Sequence, residues 1–155
     1  MDNGAVFSEC RKYRYALWRI WNKNRQLVMF IGLNPSDADE SFDDPTIRRV
    51  KRFAFDWGYG GVYLMNLFAH ITPNPGELEK SFNPINDKWL VDIAAKCDRI
   101  IFAWGSFEEA QERGKEIIKM FDGYALSINK DRSPRHPLYV KKDVKPVIYI
   151  PCLET

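Results

Sequence analysis

Four polar residues in this sequence follow apolar segments, at positions where a side chain can do chemistry. They are Asn34, Asn66, Ser106 and His136, and they are widely separated along the chain. An amide can orient a water molecule, and an imidazole can donate a hydrogen bond to a group that leaves as an anion. Such a set suits a hydrolysis that relies on positioned hydrogen bonds, for example the cleavage of an N-glycosidic bond.

Several other kinds of site have no basis in the sequence. The chain of 155 residues has two histidines, His70 and His136, and it lacks the glycine-rich phosphate loops and the H-E-x-x-H motif. Its three cysteines are widely spaced and never paired as C-x-x-C, which argues against a disulfide framework and against a zinc or iron–sulfur site. We therefore expect no resident metal and no cofactor.

Alternating strand and helix patterns must position the four polar residues. The segments 13–21 and 26–33 predict an antiparallel hairpin that leads into a buried strand. Asp44 marks the N-cap of an amphipathic helix. Ser106 and Glu109 form an S-x-x-E capping box, which predicts another helix. Further strands are predicted over 62–68, 99–105, 124–128 and 146–150, and a further helix from Asn86.

These elements predict an α/β fold in a single domain over 1–155. We expect a three-layer sandwich with a mainly parallel central sheet and an N-terminal antiparallel hairpin strand. In such sheets ligands bind beyond the carboxyl ends of the strands. The four polar residues should therefore converge on one edge of the sheet.

The net charge of +2 is small, but the charged residues are unevenly distributed. The segment 11–25 has six basic residues and no acid, 37–44 has five acids, and 129–145 is again basic. The basic segments are either solvated faces or surfaces that bind a polyanion. No apolar run is long enough to cross a membrane and the N-terminus does not resemble a signal peptide, so we expect a cytoplasmic protein.

Several short motifs resemble those of known families. The strings GLNPS-x-AD, DDPTIRR, WGYGG, NLFA, AWG and PRHPLYV resemble the domain of unknown function 1643 family of short bacterial and phage proteins. The segment 32–36 is also similar to the G-[IM]-N-P-G motif of the mismatch-specific and single-strand-selective branches of the uracil-DNA glycosylase superfamily. Asn66, the pair Trp104-Gly105 and the pair His136-Pro137 follow in the order that this superfamily shows. The resemblance covers roughly residues 26–140.

This resemblance implies a uracil-DNA glycosylase-like fold and a monofunctional, metal-independent N-glycosidase. In this interpretation Asn34 positions the attacking water, and His136 stabilises the base that leaves a flipped or single-stranded nucleotide. The substrate is a damaged or modified base in DNA or in a nucleotide, and neither a membrane nor an obligate protein partner is expected. Substrate contacts are expected from Gly32, Ser36, Phe42, Asn66, Ser106 and Arg135.

Three of these contacts rest on the chemistry of the residue itself. Phe42 is the one aromatic residue of the acidic loop, and it either stacks on a base or anchors that loop by packing. Ser106 begins a predicted helix whose backbone N–H groups suit a phosphate. Arg135 belongs to a basic segment and can neutralise a phosphate.

The sequence departs from the glycosylase pattern at two places, so alternatives stay open. Leu138 stands where the H-P-S motif has serine, and the acidic loop 37–44 repels a nearby DNA phosphate. One alternative is a Mg²⁺-dependent nucleotide phosphohydrolase that uses the four aspartates of this loop. The other is a non-catalytic protein that binds nucleotides or nucleic acid in a phage–host conflict. The identity of the base, and the choice between DNA and a free nucleotide, stay open as well.

Overall fold

A seven-stranded β-sheet forms the centre of the computed structural model, which describes residues 1–150. None of the helices in this part of the chain is long and apolar enough to cross a membrane. The strands are β1 (Asp2–Phe7), β2 (Arg14–Ile20), β3 (Leu27–Gly32), β4 (Gly61–Asn66), β5 (Arg99–Phe102), β6 (Tyr124–Ala125) and β7 (Val147–Ile148). The α-helices are α1 (Pro45–Asp56), α2 (Pro84–Ala94) and α3 (Gln111–Met120), and short 3-10 helices cover Pro75–Glu77, Glu108–Ala110 and Pro137–Tyr139.

The sheet is mixed, with the strand order β1-β2-β4-β3-β5-β6-β7. The central strands β4, β3, β5 and β6 run parallel to one another. The pairs β1 with β2, β2 with β4, and β6 with β7 are antiparallel. The predicted α/β class is therefore confirmed, whereas the sheet as a whole has as many antiparallel pairs as parallel ones.

The predicted hairpin between 13–21 and 26–33 is wrong, because β4 lies between β2 and β3. Strand β2 pairs with β1 and β4, and β3 pairs with β4 and β5. The cause lies just after β2, where the backbone N–H of Trp21 donates to the carbonyl oxygen of Gly60 at 2.9 Å. This bond directs β2 along β4 and leaves no turn back onto β3. Strand β1, which the polar N-terminal sequence did not indicate, pairs with the other side of β2.

Helices cover both faces of the sheet, which explains why β3 is apolar along nearly its whole length. Helix α1 buries Ile47 and Val50 in a cluster that includes Phe30 of β3. Helices α2 and α3 bury Leu90 and Ile117 in the cluster on the opposite face.

Two helix starts follow side-chain caps. Asp44 caps α1 as predicted, because its carboxylate accepts a hydrogen bond from the backbone N–H of Ile47 at 3.0 Å. Helix α2 begins at Pro84, two residues before the predicted start at Asn86. Its cap is Asn83, whose side chain accepts from the backbone N–H of Asn86 at 3.3 Å.

The predicted capping box at Ser106 is wrong. Ser106 is exposed, and the next turn is the 3-10 helix Glu108–Ala110, which has no side-chain cap. The cause is Gly105, whose φ of 79° turns the chain one residue earlier than a capping box requires. Phe107 consequently occupies the position before the 3-10 turn, and α3 begins only at Gln111.

The last two predicted strands are shorter than expected. Of the segment 124–128 only Tyr124–Ala125 pairs as a strand, because a bridge between Ile128 and Pro134 draws the chain into a separate loop. The segment 146–150 contributes Val147–Ile148, which pairs antiparallel with β6.

Candidate functional site

A cavity of about 170 Å³ lies at the carboxyl ends of β3, β4 and β5. A cavity of about 150 Å³ holds one benzene ring, so this one has room for a single six-membered ring. Five residues singled out in the sequence line it: Gly32, Asn34, Ser36, Asn66 and His136. The edge of the sheet therefore brings together predicted site residues from three separate parts of the chain.

Asn34 is held by backbone carbonyl groups of the loop that follows β4. Its Nδ2 donates to the carbonyl oxygens of His70 at 3.1 Å and Thr72 at 2.9 Å, and to that of Pro35. No donor within residues 1–150 bonds to its Oδ1. The amide is thus fixed through its nitrogen, and its oxygen is available to accept a hydrogen bond from water.

His136 is set up as a neutral hydrogen-bond donor. Its Nδ1 accepts a hydrogen bond from the backbone N–H of Leu138 at 3.2 Å, so the ring proton of the neutral imidazole is on Nε2. Burial lowers the pKa of His136 below its ordinary value, because the charged form is desolvated. At pH 7 the ring is therefore uncharged and has an Nε2–H to donate.

The turn that carries His136 is anchored from two sides. Arg49 of α1 donates from Nε to the carbonyl oxygen of Pro137 at 3.2 Å, and from Nη2 to that of Val140. On the other side, the N–H of Gly105 donates to the carbonyl oxygen of Pro134 at 2.8 Å. A Cβ at Gly105 would lie 3.5 Å from the Cβ of His136, which shows how closely the two segments approach.

Asn66 closes the inner side of the cavity. Its Oδ1 accepts from Nη2 of Arg14 at 3.3 Å, and its backbone oxygen accepts from Asn86 Nδ2 at 3.0 Å. Gly32 lets the amide lie against β3, since a Cβ there would be 3.1 Å from Nδ2 of Asn66. No acceptor within residues 1–150 bonds to this Nδ2. It is therefore a second available donor.

Arg14, the first residue of β2, also lines the cavity, and the sequence analysis did not single it out. It is only 2% exposed. Its guanidinium donates to the carbonyl oxygen of Ala38 at 3.0 Å and to Asn66, while its Nε has no partner in the described part of the chain. Burial lowers the pKa of Arg14 to about 10, partly offset by the carboxylate of Asp44. The group is therefore cationic at pH 7.

Three predicted contact residues lie outside this cavity. Phe42 is 53% exposed, and it extends from the acidic loop without lining the cavity. Ser106 lines a different cavity, next to Trp104 and Arg132. Arg135 is exposed, and its backbone N–H donates to the carbonyl oxygen of Ser127. Of the three, Arg135 is next to His136 in the chain and is therefore near the cavity mouth.

The carboxylates of the acidic loop are mostly engaged in local structure. Asp43 forms ion pairs with Arg19 and Lys51, each at 2.8 Å. Asp44 caps α1, and Asp39 accepts from the backbone N–H groups of Ser41 and Phe42. Within residues 1–150 there is no group of three or more His, Cys, Asp or Glu residues arranged to hold a metal ion. Asp37 is the exposed aspartate of the loop.

Arg14 could have been found from the sequence. It lies between Tyr13 and Tyr15 in a strand whose other charged residue is Arg19, and a charged side chain in a buried strand needs a reason. An antiparallel strand also starts at the edge where its parallel neighbours end. Arg14, at the start of β2, therefore lies at the edge of the sheet where Asn34 follows β3.

Comparison with known proteins identifies a family. The family model described as "Protein of unknown function (DUF1643)" matches residues 14–138, a range that includes Arg14, Asn34, Asn66 and His136. Neither the curated proteins nor the solved structures contain a match to the chain. Since the family model covers most of the sequence, the chain belongs to the DUF1643 family.

Proposed function

We propose that this protein is a metal-independent N-glycosidase, related to the uracil-DNA glycosylases, that releases a damaged or modified base from DNA or from a nucleotide. The observation that carries the proposal is one ring-sized cavity that holds both a fixed acceptor and a neutral donor. The acceptor is Oδ1 of Asn34, and the donor is Nε2–H of His136. The order of the sequence motifs also supports a relationship to the uracil-DNA glycosylases.

In the proposed reaction the base occupies the cavity and the sugar lies at its mouth. The bond between C1′ and the base nitrogen breaks, and its electron pair stays on the base. Nε2–H of His136 donates to an oxygen of this anion, and Nδ2 of Asn66 donates to another edge of the ring. A neutral imidazole suits this role because its proton is retained and the charge of the base is spread over hydrogen bonds.

Water completes the reaction from the side of Asn34. Its oxygen bonds to C1′ of the electron-poor sugar while one of its protons points to Oδ1 of Asn34, and it then loses a proton to the solvent. The amide orients the water without acting as a base, which is sufficient because the sugar has become a strong electrophile. A base stacked in a duplex cannot enter the cavity, so the substrate must be flipped out, single-stranded or a free nucleotide.

Basic side chains on α1 and in the segment 129–145 support the proposed binding of substrate phosphates. Arg49 links α1 to the turn at Pro137, which brings the exposed Arg48 and Arg52 of α1 toward the basic segment 129–145. We assign the phosphate contacts of the substrate to this surface, because nucleic acid binding depends on the neutralisation of phosphates.

The test is the release of free bases, detected by mass spectrometry, from DNA and nucleotide pools that contain damaged or modified bases. We expect release in the presence of EDTA. Asn34→Ala and His136→Ala should each lower the single-turnover rate by about 10²–10³-fold, as for the loss of one preorganised group, while substrate binding changes little. The control Asn24→Ala changes an exposed asparagine far from the cavity and should retain the wild-type rate.

The same experiment separates the alternatives. A phosphohydrolase would release phosphate, would stop in EDTA and would depend on Asp37. Substitution of Asp43 or Asp44 is not informative here, because both carboxylates are structural. Tight binding with neither base nor phosphate released would point to the non-catalytic protein. Near-normal rates for Asn34→Ala would contradict the proposed mechanism.

A further inference from the structure

Arg14 is a buried cation that forms no ion pair within residues 1–150, and the carboxylate of Asp44 offsets its desolvation only in part. A guanidinium has five N–H groups, and only two hydrogen bonds of Arg14 to protein acceptors are formed. Both acceptors, the carbonyl oxygen of Ala38 and Oδ1 of Asn66, are uncharged. Nε is fully buried without a partner, and Arg14 forms no ion pair with a carboxylate within residues 1–150. A charge in this state is costly, because it has lost water without gaining a direct ion pair.

The groups around Arg14 match an anion that has the shape of a ring. The cavity has room for one six-membered ring and is lined by Arg14, Asn66 and His136, of which Asn66 Nδ2 and His136 Nε2 carry N–H groups without an acceptor within residues 1–150. Asn34 supplies an acceptor to the same space. Asp44 also lines the cavity, and its two carboxylate oxygens already accept from backbone N–H groups of Ala38 and Ile47.

We infer that the cavity selects rings that are anionic, or acidic enough to leave as stable anions, and that Arg14 determines this selectivity. For turnover the inference rests on the proposed function, since it specifies the bases that the enzyme releases: those whose ring anion is stable at neutral pH. For binding it stands alone, because a free ring anion needs no sugar and no reaction to occupy the cavity.

The test is calorimetric titration with two matched rings at pH 7. Barbiturate is an anion, and uracil is a neutral ring of nearly the same size. Wild-type protein should bind barbiturate about 10- to 100-fold more tightly, as expected when a hydrogen bond gains a charged partner. Arg14→Met should abolish this preference, Arg14→Lys should retain part of it, and the control Arg99→Met, at the opposite end of β5, should leave it unchanged.

Other outcomes overturn the inference or separate it from the proposed function. Equal affinity of the wild-type protein for the two rings overturns it without reference to any variant, so a misfolded Arg14→Met does not block the test. If acetate or inorganic phosphate binds as tightly as barbiturate, the cavity recognises small anions rather than rings. This result also overturns the inference. Anion-selective binding without base release means that the proposed function fails while the inference holds. Release of neutral bases without a preference for anions means that the proposed function holds while the inference fails.

Discussion

Strand β2 carries two buried arginines, which differ in how the surrounding residues compensate their charge. Arg19 is 1% exposed and Arg14 is 2% exposed. Arg19 forms an ion pair with Asp43 at 2.8 Å and also donates to backbone carbonyl oxygens, among them those of Asp39 and Phe42. Arg14 has two hydrogen bonds to neutral oxygens and no ion pair with a carboxylate in residues 1–150.

The difference teaches that burial of a charge does not by itself mark a functional site, whereas burial without compensation does. Arg19 is satisfied, and it fixes the acidic loop 37–44 against the sheet. Asp43 of the loop is therefore negative for a structural reason, as the counter-charge of Arg19 and Lys51. Arg14 lines the cavity, and its Nε has no acceptor within residues 1–150.

The largest expected effect on stability is that of Arg19→Met. It leaves Asp43 with Lys51 as its remaining ion-pair partner and removes the donors that Arg19 supplies to the carbonyl groups of the loop. Breaking a buried ion pair by removal of one partner costs about 3–5 kcal/mol, and we expect a loss of this size in the free energy of unfolding. Urea denaturation measures it, with the exposed Arg25→Met as control. A loss below about 1 kcal/mol would show that Arg19 is not the anchor of the loop.

Much of this architecture could be predicted from local patterns. The N-cap at Asp44, the amphipathic stripe of α1 and the apolar runs of β3 and β4 are local signals, and each forms the expected type of element. The strand order could not be predicted in the same way. Whether β2 pairs with β3 or with β4 depends on contacts between distant segments, such as that between Trp21 and Gly60.

The candidate site shows the same division. Asn34, Asn66 and His136 follow the carboxyl ends of predicted strands, so topology alone indicated that they would meet. Ser106 follows such an end too, but the left-handed turn at Gly105 carries it to another cavity. Arg14 is the first residue of β2, and its lack of an ion-pair partner within residues 1–150 becomes visible only when its neighbours in the fold are known.

A smaller effect on stability is expected for Arg14→Met than for Arg19→Met, although both remove an equally buried guanidinium. The substitution loses two hydrogen bonds to neutral oxygens, but it also removes a charge that is desolvated and unpaired. These contributions oppose each other, and buried charges replaced by apolar side chains are often neutral or stabilising. We expect a change within about 1 kcal/mol in urea denaturation. A loss of unfolding free energy as large as that of Arg19→Met would show that Arg14 is a structural residue. The two arginines would then not differ in role.

The smallest expected effect is a difference in how the two arginines respond to acid. Burial of Asp43 opposes its ionisation, but hydrogen bonds from Lys51 and Arg19 outweigh this and lower the pKa of Asp43 below its ordinary value. A carboxylate whose pKa is lower in the folded state stabilises the fold above its unfolded pKa of about 3.9, and this stabilisation is lost as the pH falls through the folded pKa.

The measurement is urea denaturation from pH 7 down to pH 3 for wild type, Asp43→Asn and Arg14→Met. The wild type should exceed Asp43→Asn in stability at pH 7, and the difference should shrink as Asp43 becomes protonated. The difference between wild type and Arg14→Met should change less over this range, because Arg14 has no paired carboxylate within residues 1–150 to protonate. If instead the Arg14→Met difference collapses in acid as that of Asp43→Asn does, a carboxylate compensates Arg14 after all, and the cavity has no uncompensated charge to offer an anion.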